Sequence, residues 1–420
     1  MPELIASFFL VFVGGVAVLY SSLRNFRVSL PGISLFIFVM LFYILAPVVQ
    51  LADSMDYLVN TSRFSLSYAI YVNIILFVFL VFYSLSYIWL TSGKVFIPYN
   101  HLVSQSARID VRVSFSKNVV IFISLLASSV FAFNGIQSSI VSLFIFKFLA
   151  LIAFFGASVY FLSVRGSMTK KQMLFSLFLG LLFFVLFFKN PIFERRNALG
   201  PVYLTIACLV APFLLKGRIF LSFGVLVMVI AFPAASLLTH QYGVSGGGSI
   251  STEQLVQQIG GHYNDLHYDA WSNGVTMQEM IAERGHTMGQ QLVGTLLFFV
   301  PRAFWPEKPV SSGEMIGQYL MENASLWFSN VSFSFPFEFY LDFGIGGVFI
   351  AAFALAYFVF FLEKRADYSV VWNILMIYFS FYIYFLMRGP FLPAFAYFVP
   401  VILACWISGK VFTYKVEKCA

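Results

Sequence analysis

Apolar runs long enough to cross a lipid bilayer alternate with short polar breaks along almost the whole chain. A spanning helix needs about 20 apolar residues. Runs of that kind lie near 3–20, 30–51, 67–91, 118–134, 138–164, 173–188, 201–215, 219–239, 331–362, 369–387 and 393–413. The pattern predicts eleven transmembrane helices, with the termini on opposite sides of the membrane. One break is different in kind. From His240 to Asn330 the sequence stays mostly polar for 91 residues, which divides it into an N-terminal helix bundle at 1–239, a large loop at 240–330 and a C-terminal group of helices at 331–420.

The loop has its own pattern. GVSGGGS at 243–249 reads as a flexible exit from the preceding span. Ser251 and Gln254 have capping-box spacing ahead of a short helix over TEQLVQQI, and a second helix is expected over 276–284. Both are expected to lie over the membrane surface. The apolar piece 292–304 is too short to span and is closed by Pro301, Arg302 and Pro306, so it predicts a re-entrant or interfacial segment.

Composition agrees with an all-α, polytopic membrane protein: 60% hydrophobic and only 10% charged residues exclude an ordinary soluble domain. The first run lacks a basic leader and a small-residue cleavage site, so it is expected to remain as a helix rather than be removed as a signal peptide. Cys208, Cys405 and Cys419 form no disulfide or thiolate-metal pattern. Orientation follows from the excess of Lys and Arg in cytoplasmic loops. With the N-terminus outside, 16 of the 25 Lys and Arg residues fall in inner loops and tail, and 8 fall outside, with Lys147 inside a span. The large loop then faces outward. The net charge of +7 sits mainly in the inner loops, where anionic lipid head groups account for it, so no nucleic-acid partner is expected.

The outward cations run against this bias and are the first candidates for chemistry. Arg195 and Arg196 occupy a short outer loop, Arg284 and Arg302 lie in the large loop, and Arg388 stands in LMRGPFLP between the last two spans. Arg presents a rigid, permanently charged fork suited to phosphate, and several converging forks suit a diphosphate. The structural alternative is that each snorkels to head groups or pairs with Glu194, Glu283, Glu307 or Glu338. His286 is a candidate general base. Glu338, in FPFEFYLDFGIGG near the outer end of a span, is costly there unless used or paired, and Asp342 one turn on shares its face. His262 and His267 stand beside Asp265 and Asp269, but their five-residue spacing does not bring both rings to one helical face. Neither a metal nor another cofactor is expected.

PRAFWPEKPVSSGE at 301–314, FEFYLDFGIGG at 337–347, MRGPF at 387–391 and ERRNALG at 194–200 together resemble the Wzy-type O-antigen or oligosaccharide repeat-unit polymerases. The resemblance implies a metal-independent, inverting GT-C-type glycosyltransferase at the periplasmic face of the bacterial inner membrane. Its substrate would be an undecaprenyl-diphosphate-linked glycan, and its usual companions a flippase and a chain-length-regulating co-polymerase. On this reading Arg195, Arg196, Arg284, Arg302 and Arg388 stabilise the departing lipid diphosphate, with Arg302 also counted as catalytic. Glu338 or His286 takes the acceptor proton, and Trp305, Tyr340 and Trp327 contact sugar rings, interfacial anchoring being the alternative for these aromatics. An O-antigen ligase shares the arginine logic and differs in its acceptor. A lipid-glycan flippase or other secondary transporter would show internal repeats and midplane ionisable residues instead.

The charge distribution gives a direct topology test. Reporter fusions in 92–117 and at the C-terminus should report cytoplasm, and fusions in 240–290 should report the outside. A cytoplasmic signal at Gly247 would remove the large loop from consideration as an external site.

Overall fold

The computed structural model describes residues 2–24, 28–52, 65–94, 154–155, 158, 171–172, 196–231 and 268–411. Among these, every regular element is helical. In chain order they are α1 Pro2–Leu23, α2 Leu30–Ala52, α3 Leu66–Thr91, α4 Arg196–Val210, α5 Gly217–Leu226, α6 Ala270–Arg284, α7 Gln290–Leu296, α8 Ser312–Ala324, α9 Phe335–Ala366, α10 Val370–Arg388 and α11 Phe391–Val411.

Six of these helices, α1, α2, α3, α9, α10 and α11, are long and apolar enough to cross a membrane. The protein is therefore a helical membrane protein, with six candidate spans among the described residues where eleven were expected over the whole chain. The expected spans 118–134 and 173–188, nearly all of 138–164, and the Ser251 helix lie outside the described residues. The expected span 201–215 is α-helical only to Val210, and the described part of the expected span 219–239 is helical from Gly217 to Ala231, where that described stretch ends. Ala211 leaves the helical region and Pro212 starts a single 3-10 turn, which separates them.

The spans assemble around α10, the most enclosed of the six. It packs against α2, α4, α9 and α11, while α3 packs between α1 and α9. Buried polar side chains tie the spans together near both ends. At one end Tyr87 donates to Glu363 Oε2 at 2.7 Å, joining α3 to α9. At the other, Asn73 donates to Ser7 Oγ at 2.8 Å, joining α3 to α1. That second end is the one occupied by the large loop, whose described helices α6, α7 and α8 form a cap.

The cap does not lie over the bundle; α6 is wedged into it. The helix starts at Ala270 rather than near 276, and its residues 270–278 and Met280 are buried although many are polar. Trp271 is fully buried and donates Nε1 to Asn73 Oδ1 at 2.8 Å, against the ring of Phe8. Gly274 is the point of closest approach to α9: a Cβ there would meet Phe337 Cε2 at 2.6 Å.

The run read as one long span, α9, is two pieces. Gly344 breaks it with φ 59° and ψ −147°, a conformation accessible essentially to glycine alone. The piece before the break is buried from Phe335 to Asp342 and belongs to the cap junction. The piece after it runs to Ala366, and at about 1.5 Å per residue still covers a hydrocarbon core of about 30 Å.

The approach at Gly274 is testable. Gly274→Ala forces the Phe337 ring to move, and overpacking of this kind costs about 1–3 kcal/mol. The purified protein should show a lowered thermal midpoint, while Gly346→Ala, which meets nothing within 4 Å, should leave it nearly unchanged.

Candidate functional site

The turn between α10 and α11 is the most heavily fastened feature of the cap end. α10 ends at Arg388, Gly389 is extended, and α11 begins at Phe391. The first residues of α9 hold this turn. Ser334, which precedes α9, donates to the Met387 carbonyl and is itself hydrogen-bonded to Tyr43 from the π-helical stretch of α2. Glu338 Oε1 accepts from the Phe391 amide at 2.6 Å and from the Ser312 hydroxyl at the start of α8. Helix N-termini carry unsatisfied N–H groups and partial positive charge, so one buried carboxylate placed at the start of α8 and α11 stabilises both. Ser311 caps α8 in turn, accepting from the Glu314 amide at 3.3 Å in the Ser-x-x-Glu spacing of a capping box.

Arg388, whose position this turn sets, is half-buried and within electrostatic reach of Asp269 and Tyr268. Asp269 and Asn273 stand one turn apart at the start of α6 and are 2% and 1% exposed. Asp269 Oδ2 accepts from Asn273 Nδ2 at 2.9 Å and from the Ser332 amide at 3.0 Å, and Asn273 Nδ2 also donates to the Ser332 carbonyl at 2.7 Å. These bonds fix both side chains but use only part of their capacity. Asp269 Oδ1, Asn273 Oδ1 and Arg388 Nε are buried without a hydrogen-bond partner. Tyr268 stacks on Phe42 beside them, with its carbonyl accepting from Gln50 Nε2 at 3.4 Å.

The other residues singled out in the sequence are placed as follows. Arg284, at the end of α6, forms an exposed ion pair with Glu322 at 2.7 Å and lies over the Tyr319 ring. Arg302 is exposed and donates to the Lys308 carbonyl at 2.6 Å, closing the loop 301–309 on itself. Lys308 donates to the carbonyls of Phe298 and Val300, and burial with the neighbouring Arg302 lowers its pKa. Each of these cations therefore has its own local environment, and Arg284, Arg302 and Arg388 share none of their hydrogen-bond or ring partners. Arg195 lies outside the described residues; Arg196 is the first residue of α4, and the position of its side chain is likewise undescribed. Among the described candidates, Glu338 fastens the turn that follows Arg388 through the Phe391 amide, and His286 meets Tyr340 ring to ring.

Among the aromatic candidates, Tyr340 is buried, with its hydroxyl 3.4 Å from Gln278 Oε1 and its ring edge-on to Tyr71 and His286. Trp305 is half-buried in the loop. Trp327 is 83% exposed, as is Phe304 at 84%, and α7 exposes Val293 and Leu296. α7 and the turns after it carry Val293, Leu296, Phe299 and Phe304 outward, as an interfacial segment would. His286 Nδ1 is 3.2 Å from the Leu341 carbonyl, next to the break at Gly344. Asp342 does not share a function with Glu338 across one face. It accepts from the amides of Leu292 at 2.8 Å and Gln291 at 3.2 Å and from Thr287 Oγ1, and so caps α7.

The sequence reading missed Asn273, Ser312 and Ser334, and weighed Asp269 only as a neighbour of His267. The one usable signal was the i, i+4 spacing of Asp269 and Asn273 flanking Trp271. Among the described residues, no group of three or more His, Cys, Asp or Glu side chains is arranged to hold a metal ion. No family model, no curated protein and no solved structure matches the chain.

Asp342→Ala should uncap α7 at a cost of about 1–2 kcal/mol, with Asp342→Asn milder because its amide oxygen still accepts. Limited proteolysis should then cut between 285 and 310 faster in the alanine variant than in wild type. Equal cutting rates would show that Asp342 does not hold the segment.

Proposed function

We propose that the chain is a metal-independent membrane glycosyltransferase that polymerises undecaprenyl-diphosphate-linked oligosaccharide repeat units into O-antigen or a related surface polysaccharide. It would act at the periplasmic face of a bacterial inner membrane, with inversion at the anomeric carbon. The observation that carries this reading is Arg388: a guanidinium held by a fastened turn, half-buried at the cap end, beside a carboxylate and an amide with unused acceptor oxygens.

Transfer from a lipid diphosphate builds negative charge on the leaving oxygen. A cation already fixed at that point stabilises the transition state without reorganising, and low local dielectric strengthens its effect. Arg388 fits this role better than Arg284 or Arg302, whose forks are engaged locally and lie open to solvent. Glu338 is a positioning residue in this account. Its Oε1 already accepts two hydrogen bonds, and through the Phe391 amide it sets where the turn, and therefore Arg388, sits.

These roles separate by mutation in a deletion strain, read as polysaccharide banding at matched protein levels. Arg388→Ala should abolish long chains, and Arg388→Lys should recover little, because an ammonium does not reproduce the planar fork. Arg284→Ala, which breaks only an exposed pair, should polymerise nearly normally. Glu338→Gln keeps an acceptor oxygen and should retain far more activity than Glu338→Leu. Normal banding from Arg388→Ala would contradict the proposal. A product in which single units reach lipid A core without elongation would assign the chain to the ligases.

A further inference from the structure

We propose that Asp269, Asn273 and Arg388 form the subsite for the acceptor sugar, in which Asp269 Oδ1 takes the proton of the attacking hydroxyl. This rests on the glycosyl-transfer reading above and names a catalytic group that the sequence did not single out.

Hydrogen-bonding capacity is left unused at this point of the fold. Asp269 Oδ1 and Asn273 Oδ1 are two buried acceptors, and Arg388 Nε is one buried donor, with no partner for any of them. Buried polar groups are almost always paired, and an unpaired cluster calls for a ligand that supplies what is missing. Two acceptors and one donor match hydroxyl groups, each of which donates one hydrogen bond and accepts others. A phosphate, which carries acceptors alone, would leave both acceptor oxygens unpaired.

Both side chains are rigidly set, since Asp269 Oδ2 and Asn273 Nδ2 are anchored to each other and to the backbone of Ser332. That anchoring leaves one oxygen of each side chain for a ligand. Arg388 as a residue is half-buried, with its Nε enclosed.

The chemistry balances within these groups. The acceptor hydroxyl oxygen forms a bond to the anomeric carbon, while the bond from that carbon to the diphosphate oxygen breaks and its electron pair leaves with the diphosphate. The hydroxyl proton passes to Asp269 Oδ1 and then to solvent. Neither oxidant nor metal takes part in this step. Of the groups first considered for this proton, Glu338 holds Ser312 and Phe391 through Oε1, and His286 Nδ1 lies at the Leu341 carbonyl.

The test uses the purified full-length chain in lipid nanodiscs. An undecaprenyl-diphosphate repeat unit is the donor, and the same repeat unit on a shortened prenyl diphosphate is varied as acceptor. Asp269→Asn preserves an oxygen for Asn273 and Ser332, and should lower kcat by about 10²-fold or more with little change in acceptor KM. Asn273→Ala should raise acceptor KM about 10-fold with a smaller effect on kcat. Asp269→Ala leaves room for a small carboxylate, and added formate should restore its rate at least several-fold, which a purely structural role for Asp269 would not allow. Wild-type kcat and KM in both Asp269→Asn and Asn273→Ala would overturn the assignment and leave structural water as the occupant of these atoms. A wild-type chain that forms no new glycosidic bond would instead overturn the glycosyl-transfer reading beneath it.

Discussion

Glu338 Oε1 is the point at which three helices of the cap end meet. Its own helix, α9, contributes the carboxylate; α8 contributes the Ser312 hydroxyl and α11 the Phe391 amide. Inside a membrane protein there is little water to take over a lost partner, so a broken bond of this kind costs the desolvation of whatever is left behind. Leaving one buried partner unsatisfied costs about 1–3 kcal/mol, which is enough to hold a turn that ordinary loop contacts would leave loose. Ser334 adds a second fastening one turn earlier on α9, through the Met387 carbonyl and the Tyr43 hydroxyl. The position of Arg388 is the consequence.

The same constraint explains why α6 enters the bundle. Asn73 sits fully buried in α3 and needs partners for both ends of its amide. Ser7 accepts from its nitrogen, and Trp271 of α6 donates to its oxygen. Trp271 brings a large apolar surface with a single polar handle, so one residue both fills the gap beside Phe8 and completes the amide. With Trp271 docked, Asp269 and Asn273 are carried to the start of α9 and the end of α10. The cluster around Arg388 is thus assembled from the large loop and the last spans together.

The spans were legible where apolar runs were long and unbroken: α1, α2, α3, α10 and α11 lie within a few residues of the runs that marked them. Hydropathy failed where backbone geometry, not polarity, decides the outcome. Gly344 divides α9 although the residues around it are apolar, because a single left-handed glycine ends a helix without changing its hydrophobicity. The opposite failure occurred at α6. Its sequence AWSNGVTMQEM looks like a surface helix by composition, yet it is buried because its polar groups find partners on α3 and in the Ser332 segment. Of the site itself, Arg388 was visible as a cation on the outer side and Glu338 as an ionisable residue in a costly place. That they belong to one arrangement, and that Asp342 belongs to another as the cap of α7, depends on tertiary contacts that spacing along α9 does not report.

The site around Arg388 exists only if the start of the cap is part of the bundle core. Hydrogen–deuterium exchange of the purified full-length protein measures this directly, because amide exchange reports local opening. The backbone amides of α6 should be protected as long as those of α10. Exchange of the α6 amides within seconds, as expected for a helix resting on the membrane surface, would contradict the wedge and with it the site built around Arg388.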